Sequence, residues 1–283
     1  MPPMMTQTDP PRPARETLPT MYDLPSEEIG DAGMPDEYHV RQAILLDQTF
    51  RPPVVSPDEV FSAVDMNLYY DVRHPLWYKR PDWFGVINVP RLYEGRDSRL
   101  SYVYWQEGAP PLIVVELLSP GTEKEDLGQT LRDVNQPPTK WEVYERILRV
   151  PYYAVFSRET TELRIFQSTG MRYTEVIGHG GKFWIQEAGL GLGLWKGIYH
   201  GEDRLWLRWQ DVDGNWIPTE AEQTEQAQSL ADQERKMKEA ALLRETQLRQ
   251  RAEEAEQAAE QERRRAERLA ELLRQLGQDP DQV

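Results

Sequence analysis

The stretch Leu112-Ile-Val-Val-Glu-Leu-Leu118 decides the fold of this 283-residue chain. All but one of its residues are leucine, isoleucine or valine, and a continuous apolar run of this length predicts a strand buried on both faces of a sheet. The exception, Glu116, shares a face of that strand with the apolar residues at the even-numbered positions. A carboxylate in such a place is costly unless it is paired, protonated or bound to a metal ion.

Strand patterns continue on either side of this run. Apolar segments with β-branched and aromatic residues predict strands at 83–89, 152–156, 162–166, 171–177, 182–185 and 204–209. The three segments between 152 and 177 are joined by the short turns SRETT and STG, which predicts a β-meander. The order of strand, helix, strand and meander indicates an α/β or α+β domain.

Three helix starts have the form of a capping box, and they begin at Ser56, Thr122 and Thr139. The last predicts a helix with Thr139 as its N-cap and Lys140 at its first position. Pro151 stops this helix near Arg149, because the residue before a proline is disfavoured in a helix. The predicted inward stripe consists of Trp141, Tyr144, Ile147 and Leu148, with Lys140 one turn before Tyr144 on its edge.

Composition divides the chain into three segments. Residues 1–36 are acidic, rich in proline and poor in aliphatic runs, so we expect them to be disordered. Residues 37–218 hold all nine tryptophans and carry 25 acids against 20 bases, which predicts the globular domain. Residues 219–283 are dominated by Ala, Glu, Gln, Arg and Leu, which predicts a charged helical tail.

The tail allows two interpretations. Positions at three- and four-residue spacings form a weak seam from Met237 to Leu276, in which alanines and two charged residues interrupt the leucines. The tail is therefore either a solvated helix held by Glu–Arg pairs or a coiled coil. At 1.5 Å per residue such a helix reaches about 87 Å and needs a partner or neighbour to be stable. We expect Gly277 and Pro280 to end it.

Charge and cysteine content exclude several classes of protein. The net charge of −15 disfavours a general nucleic-acid coat protein but leaves a nuclease open, because only the local field of a cleft matters there. The absence of cysteine excludes disulfides, a thiol nucleophile and cysteine-bound zinc. The longest strongly apolar stretch, residues 112–115, is far too short to span a bilayer, and the first residues lack the apolar run of a signal peptide. We therefore expect a cytoplasmic protein without a membrane partner.

Two acids are the first candidate site residues. Glu116 either pairs with an arginine such as Arg132 or Arg146, reaches solvent at a strand end, or binds a metal ion. Asp82 follows Arg-Pro just before the predicted strand at 83–89. It is either a turn or cap residue, or a second carboxylate that converges with Glu116 on one divalent cation. Ligands that are all oxygen suit Mg²⁺ or Mn²⁺ rather than zinc.

Lys140 is the third candidate. A cation in the first turn of a helix opposes the positive end of the helix dipole. Lys140 is therefore either an ordinary surface lysine or a group that stabilises a phosphate and its developing negative charge beside a helix N-terminus. Together with a metal ion that lowers the pKa of its bound water, such an ammonium orients the nucleophile or stabilises the transition state of phosphodiester hydrolysis.

The remaining candidates favour structural roles. The four histidines share no ligand spacing, so we expect unrelated surface or core residues at His39, His74, His179 and His200. The run Gly189-Leu-Gly-Leu-Gly193 lacks the strand-to-helix context of a nucleotide loop and predicts structural turns. The arginines of the tail are interleaved with glutamates, which indicates a solvated helix face at Arg263, Arg264, Arg265 and Arg268.

Four stretches together resemble a known family. They are RPDWFGV (80–86), APPLIVVELLSPGT (109–122), KWEVY (140–144) and VPYY (150–153). Over roughly residues 55 to 210 the chain resembles the Uma-two restriction-endonuclease family of the PD-(D/E)XK nuclease superfamily, most specifically in its Glu-x-Leu-Ser-Pro stretch. The resemblance implies a restriction-endonuclease-like α/β/α core. It also implies that Asp82 and Glu116 are the metal acids, that the Leu117 backbone carbonyl is an extra ligand, and that Mg²⁺ or Mn²⁺ is the cofactor.

Two features depart from the family pattern. The lysine of the superfamily usually lies two residues after the acid, where this chain has Leu118. In related families it has moved to the next helix, and Lys140, four residues before Tyr144, matches that place. The usual Gly-Val-Pro-Glu-Tyr stands here as RVPYY (149–153). Asp126 matches a recurrent acid of the family, and is more simply explained as the charged first turn of the helix after Thr122.

Two functional hypotheses follow. The first is a magnesium-dependent endonuclease that hydrolyses phosphodiester bonds of DNA, in which Asp82 and Glu116 hold the metal and Lys140 supports the attacking water. Its C-terminal helix would form a homodimer, which suits the cutting of two strands. The second is a catalytically inactive nuclease-fold scaffold that binds partners through its tail. The moved lysine, the acidic charge and the size of the tail motivate this alternative.

Overall fold

The computed structural model describes residues 36–119, 123–130, 136–176 and 182–275. The chain divides into two compact units at the bond between Thr219 and Glu220. The expectations on residues 1–35, on the capping box at Thr122 and on the helix end at Gly277 and Pro280 fall outside the described residues.

The first unit is a mixed α/β structure, so the predicted fold class is confirmed. Its helices are α1 (Glu37–Thr49), α2 (Tyr104–Glu107), α3 (Glu123–Asp126) and α4 (Lys140–Glu142), with a 3-10 turn at Pro57–Glu59. Its first strands are β1 (Val60–Val64), β2 (Leu68–Tyr69), β3 (Tyr78–Lys79), β4 (Trp83–Ile87), β5 (Tyr102–Val103) and β6 (Ile113–Leu117). The later strands are β7 (Tyr152–Ser157), β8 (Glu162–Thr169), β9 (Arg172–Val176), β10 (Lys182–Ile185), β11 (Leu190–Tyr199) and β12 (Glu202–Gln210).

Six strands form the central sheet in the order β1-β4-β6-β7-β8-β9. β6 and β7 are parallel, and every other neighbouring pair is antiparallel. β6 lies in the interior of this sheet, and all five of its residues are buried, as its apolar sequence predicts. Because parallel neighbours need a crossover connection, α3 and α4 lie between β6 and β7 in the chain.

Two hydrophobic cores contact the central sheet. In the first, Ile113, Val115 and Leu117 of β6 pack with α1 and the β10-β11-β12 sheet. In the second, Val114 packs with Tyr144, which follows α4, and with the small β3-β2-β5 sheet. Since side chains alternate along a strand, Glu116 lies on the same face as Val114, beneath α4 and the small sheet.

The helix predicted at Thr139 begins as expected and then widens. Thr139 and Glu142 form the complete capping box. From Val143 to Ile147 the backbone forms a π-helical turn, and Arg149 ends the helix with a φ of 53°. The wider turn carries Ile147 outward, so that it is 40% exposed and its predicted inward position is wrong.

Two glycines of the run 189–193 lie in β11 rather than in the predicted turns. A Cβ on Gly191 would lie 2.7 Å from the Gln210 side chain, so a larger residue there would have to displace the buried Gln210 of the paired strand β12. Gly189, with a φ of 62°, does occupy a turn.

The described part of the second unit is one helix, α5 (Glu220–Gln275), of 56 residues. At 1.5 Å per residue it is about 84 Å long. None of its residues is buried, and Leu230, Leu242, Leu243 and Leu248 are each at least 60% exposed. Pairs four residues apart, such as Arg249 with Glu253 at 3.2 Å, support the helix. No helix in the described ranges has the length and apolarity needed to cross a membrane.

Candidate functional site

Asp82 and Glu116 lie next to each other, at the start of β4 and within the neighbouring strand β6. Asp82 immediately precedes β4, and β4 pairs with β6 in a register that sets Trp83 opposite Val115. The backbone N–H of Asp82 donates to Glu116 Oε2 at 3.3 Å, and the N–H of Leu117 donates to Asp82 Oδ2 at 2.6 Å. Only 7% of Asp82 and 0% of Glu116 is exposed. The structure thus brings together the two acids that the sequence pattern singles out.

Lys140 reaches the same place from α4. The capping box fixes the first turn of α4 over the face of the sheet that carries Glu116. Lys140 Nζ lies 3.0 Å from Glu116 Oε2 and 3.1 Å from Asp126 Oδ1. One turn later, the Tyr144 hydroxyl donates to Glu116 Oε1 at 2.9 Å. Each oxygen of Glu116 therefore has a donor, which explains how the sheet interior accommodates this carboxylate.

These contacts exclude two of the alternatives for Glu116, a pair with Arg146 and a strand end that reaches solvent. Arg146 instead lies 3.2 Å from Glu145, with most of its side chain exposed. Glu116 does not reach solvent, since it is fully buried. Arg132 lies outside the described residues. The cation that contacts Glu116 in the described part of the chain is Lys140.

Asp126 is a third acid at this site. It ends α3, is fully buried, and is 3.1 Å from the Lys140 ammonium. Its backbone carbonyl accepts a hydrogen bond from the Tyr153 hydroxyl at 2.9 Å, which holds the end of α3 over the sheet. Neither carboxylate oxygen accepts a hydrogen bond from the described residues. The simpler explanation of Asp126 as a charged first turn therefore accounts for neither its burial nor its ion pair.

His39 approaches the strand end from α1. Its Nδ1 is 2.9 Å from Asp36 Oδ1, and its Nε2 is 3.2 Å from the carbonyl oxygen of Leu117. Both partners only accept, so the imidazolium form, with a proton on each ring nitrogen, satisfies both. Burial alone would lower the pKa of His39, but the hydrogen bond with Asp36 and the charge of Asp82 raise it. The Leu117 carbonyl, which the resemblance implies as a metal ligand, is thus hydrogen-bonded to His39.

A second ion pair borders the site. Lys79 of β3 lies 2.9 Å from Glu125 Oε1, and the same oxygen accepts a hydrogen bond from the backbone N–H of Lys140 at 3.2 Å. Glu125 therefore joins the small sheet to the N-terminus of α4. A carboxylate at that position also interacts favourably with the positive end of the helix.

When Asp82, Glu116 and Asp126 are all ionised, the site carries more negative than positive charge, because these three acids interact with the single ammonium of Lys140. Burial raises the pKa of Asp82 to about 6, although Lys140 and the Leu117 N–H favour its charged form. Burial also raises the pKa of Glu116 well above its ordinary value against the pull of Lys140, and the neighbouring acids add to the rise. Burial disfavours the Lys140 ammonium, but the three acids outweigh it and raise the pKa of Lys140. A further cation would relieve this imbalance.

The donor chemistry of the site fits a hard divalent cation. Asp82 and Glu116 offer only oxygen, and Mg²⁺ is commonly bound by one or two carboxylates, with water and substrate phosphate oxygens completing its shell. Among the described residues, no group of three or more His, Asp or Glu side chains is arranged to hold a metal ion. The residues therefore suit a site with two protein carboxylates rather than a closed protein cage.

Sequence reasoning missed part of this environment. The sequence pattern predicts no site role for His39 and places Tyr144 only on the inward stripe of its helix. Two spacings in the sequence could have indicated these residues. Asp36 and His39 are three residues apart at a helix start, and Lys140 and Tyr144 are four residues apart in a helix. His74 and His200 lie outside the contacts of the site, and His179 lies outside the described residues.

Comparison with models of protein families matches residues 14–200 to Uma2, which is described as "Putative restriction endonuclease". The matched region includes the central sheet and every site residue named above. The mixed α/β fold with its long C-terminal helix is consistent with a restriction-endonuclease-like structure, and families of that type generally use divalent metal ions. No curated protein matches the chain.

Proposed function

The chain belongs to the Uma2 family, and on that premise we propose that it is a metal-dependent endonuclease that hydrolyses phosphodiester bonds of DNA. Asp82 and Glu116 hold a divalent cation, Mg²⁺ or Mn²⁺, and Lys140 supports the attacking water. One observation carries the proposal. Glu116 accepts from the backbone N–H of Asp82 at 3.3 Å and lies 3.0 Å from the Lys140 ammonium of a capped helix, in a site that collects the three buried acids Asp82, Glu116 and Asp126.

The contacts of each residue indicate its role in the proposed reaction. The cation, when bound, supplies Lewis acidity that polarises the scissile phosphate and lowers the pKa of a coordinated water. Leu117 N–H and Asp82 N–H fix the two carboxylates relative to each other, so little reorganisation accompanies the reaction. The raised pKa of Lys140 keeps it protonated. Lys140 therefore acts as a positioned positive charge for the water and the phosphate, and not as a general base.

Cleavage of supercoiled plasmid in Mg²⁺ tests the proposal. The informative variant is Glu116→Gln, which keeps the shape of the side chain and removes its charge. The matched control is Glu175→Gln, an acid of β9 paired with Arg164. We expect wild type and Glu175→Gln to nick the plasmid at similar rates and Glu116→Gln to be about 10²–10³-fold slower. Equal cleavage by all three proteins, or no cleavage by wild type in either Mg²⁺ or Mn²⁺, would contradict the proposal.

The second candidate is a catalytically inactive scaffold that acts through α5. The observations that favour it are the position of the lysine on α4 instead of β6, and the 56-residue exposed helix. Titration calorimetry with Mg²⁺ and Mn²⁺ distinguishes the candidates. Binding that is lost in Asp82→Asn supports the nuclease, and the absence of binding to wild type supports the scaffold.

We also propose that the protein forms a homodimer through α5. In this proposal residues 37–218 are the nuclease domain, residues 219–283 the association segment, and residues 1–36 an acidic extension. Two nuclease domains in one particle suit the cutting of both strands of a duplex. A cytoplasmic location is part of the same proposal, since the chain has no cysteine that would need an oxidising compartment.

A further inference from the structure

The small β3-β2-β5 sheet exposes an aromatic face. Tyr69 and Tyr78 are paired across β2 and β3, with ring centroids 5.5 Å apart, and the Trp105 ring lies 6.5 Å from Tyr69. Tyr78 is 43% exposed and Trp105 is 38% exposed. The opposite face of the same strands is buried, since it carries Leu68 and Lys79. The two tyrosine rings lie on the outer face of a sheet whose inner face belongs to the core, and Trp105 of α2 lies beside them. We name these three rings the aromatic platform.

The loop between β2 and β3 extends this apolar surface. Within it the rings of His74 and Trp77 are stacked with centroids 3.8 Å apart. Val72 is 67% exposed and Leu76 is 83% exposed. Large apolar side chains that cluster on the surface commonly mark a binding site, because exposed apolar area is otherwise unfavourable.

The charge of this region differs from that of the rest of the molecule. Residues 69–80 contain Arg73, Lys79 and Arg80 against the single acid Asp71, while the whole chain has a net charge of −15. Two of these side chains lie in local ion pairs, Arg80 with Asp65 at 2.6 Å and Lys79 with Glu125 at 2.9 Å. Arg73 is exposed. With Asp65 and Glu125 counted, the charges of this region balance, so it lacks the acidic excess that would repel a polyanion. Exposed aromatic rings in such a region suit a strand that carries flat bases.

The aromatic platform borders the candidate site. Tyr78 and Asp82 are four positions apart in the chain, which limits their Cα separation to about 14 Å. From the inner face of the sheet, Lys79 contacts Glu125, and Glu125 accepts a hydrogen bond from the N–H of Lys140. The platform and the site thus lie on opposite faces of the small sheet, within the distance that the chain between Tyr78 and Asp82 allows. A nucleic-acid strand whose phosphate lies at Asp82 and Glu116 reaches the platform by passing round the edge of that sheet.

We infer that the aromatic platform stacks unpaired bases of the DNA substrate beside the phosphate to be cleaved. The inference rests on the proposed function and names its substrate class: DNA with a single-stranded segment at the site of cleavage. The faces of bases inside a duplex are covered by their neighbours, so that side chains such as Tyr78 and Trp105 can stack only on bases that leave the duplex or lack a partner strand. Stacking on aromatic side chains tolerates any base, because every base has a flat face.

Fluorescence anisotropy of the full chain tests this inference. The probes are a labelled single-stranded oligonucleotide and the matching blunt duplex, both in EDTA so that no cleavage occurs. The test variant is Tyr78→Ala combined with Trp105→Ala, and the control is Trp184→Ala, which removes a 40% exposed tryptophan from β10. We expect the test variant to lose about 10–100-fold in affinity for the single strand, since a stacked base is worth a factor of that order. The affinity of the test variant for the duplex should stay within about twofold of wild type. Trp184→Ala should bind both probes with affinities within about twofold of wild type.

Replacing both residues by phenylalanine provides a second variant that keeps the stacking surface. Tyr78→Phe combined with Trp105→Phe should retain the affinity for the single strand to within about fivefold. The inference is overturned if the alanine variant binds the single strand as tightly as wild type, if Trp184→Ala loses as much, or if wild type prefers the duplex. The inference is also overturned if the phenylalanine variant loses as much affinity for the single strand as the alanine variant does.

The plasmid experiment separates this inference from the proposed function. If Glu116→Gln abolishes cleavage while the alanine variant binds single strands normally, the nuclease proposal stands and the aromatic platform is not a base-binding site. If no DNA is cleaved under any metal while single-strand binding depends on the platform, the nuclease proposal fails and the base-binding site stands.

Discussion

Glu116 is the residue in which function and stability are expected to conflict. Burial and the neighbouring acids raise its pKa, so the charged carboxylate is unfavourable in the metal-free protein. In Glu116→Gln the amide oxygen can accept from Lys140 and from the N–H of Asp82. The amide nitrogen replaces the oxygen that accepts from the Tyr144 hydroxyl, so that hydroxyl must turn and accept instead. The variant therefore keeps two of the three hydrogen bonds to this side chain and loses one buried charge.

We expect Glu116→Gln to melt at a higher temperature than wild type in EDTA at pH 8. A gain of about 1 kcal/mol corresponds to roughly 2–4 °C for a domain of this size. In Mg²⁺ the order should reverse, because the metal stabilises only the protein that binds it. Differential scanning calorimetry in both conditions measures the effect. A lower melting temperature for the variant in EDTA would indicate that Glu116 serves as a structural ion-pair partner of Lys140.

The raised pKa of Asp82 predicts how metal binding depends on pH. Its folded pKa of about 6 lies above its ordinary value of 3.8. The protonated form therefore stabilises the metal-free protein fully below about pH 4, and this contribution is lost as the pH rises through about 6. Since a ligand carboxylate must be deprotonated, the affinity for Mg²⁺ should rise between pH 5 and pH 7.5, with release of protons. Calorimetry in buffers of different ionisation enthalpy measures both quantities, and an affinity independent of pH would contradict the prediction.

Some of the site residues could be predicted from the sequence, and others could not. Glu116 could be singled out because an acid in an apolar strand is costly, and Lys140 because a capping box defines its place on a helix. The burial of Asp126 and the contact of His39 with Leu117 could not be predicted. Both depend on how α3 and α1 pack on the sheet, and local spacing does not encode that packing.

At the scale of secondary structure elements, the turn that follows α4 and its π-helical continuation offers a test of backbone strain. Arg149 has a φ of 53°, and the N–H of Val150 donates to the Tyr144 carbonyl at 2.8 Å to close the turn. A residue with a Cβ is strained in this region by about 1–2 kcal/mol, whereas glycine is not. Glycine is also the residue that the related pattern usually has at this position.

We therefore expect Arg149→Gly to increase the free energy of unfolding by about 1 kcal/mol, after allowance for the greater flexibility of glycine in the unfolded chain. Arg149→Ala is the matched control, since it shortens the side chain and keeps the Cβ, and it should produce no gain. Urea unfolding of both variants measures the difference. A similar stability of the two variants would show that the backbone conformation at Arg149 carries no strain.

Prediction succeeded for elements that follow a continuous apolar run and failed for others, including α1 and the longest described strand, β11. The helix start predicted at Ser56 is wrong, because only the 3-10 turn Pro57–Glu59 forms there before β1. The strands β4, β6 and β7 to β10 follow continuous apolar or β-branched runs and were predicted close to their observed bounds. The two-residue strands β2, β3 and β5 are too short to show periodicity, and they exist because they pair with one another. β11 was missed because its glycines predict turns, and Ile147 was misplaced because a π-helical turn shifts the helical register.

At the scale of the whole molecule, α5 is the helix through which we propose that two copies of the chain form a dimer. Its exposed leucines would be covered if two copies associate along the helix, whereas pairs such as Arg249 with Glu253 stabilise a single helix as well. Replacing Leu242, Leu243 and Leu248 by glutamine in the full chain removes the apolar part of the middle of α5.

Sedimentation equilibrium at micromolar concentrations should give the mass of a dimer for wild type and of a monomer for the triple variant. Met171→Gln, which changes an exposed apolar residue of the first unit, should remain dimeric. A monomeric wild type would contradict the dimer proposal and favour α5 as a solitary helix supported by its own ion pairs.

The central claim is that Asp82 and Glu116 share one divalent cation. The most direct measurement is an anomalous difference map from crystals of the wild-type protein grown with Mn²⁺. The account predicts one strong peak at about 2.0–2.3 Å from a carboxylate oxygen of each acid. It also predicts that the peak is absent in Glu116→Gln crystals. A map with no peak between these two acids, in which the Lys140 ammonium still lies against Glu116, would contradict it.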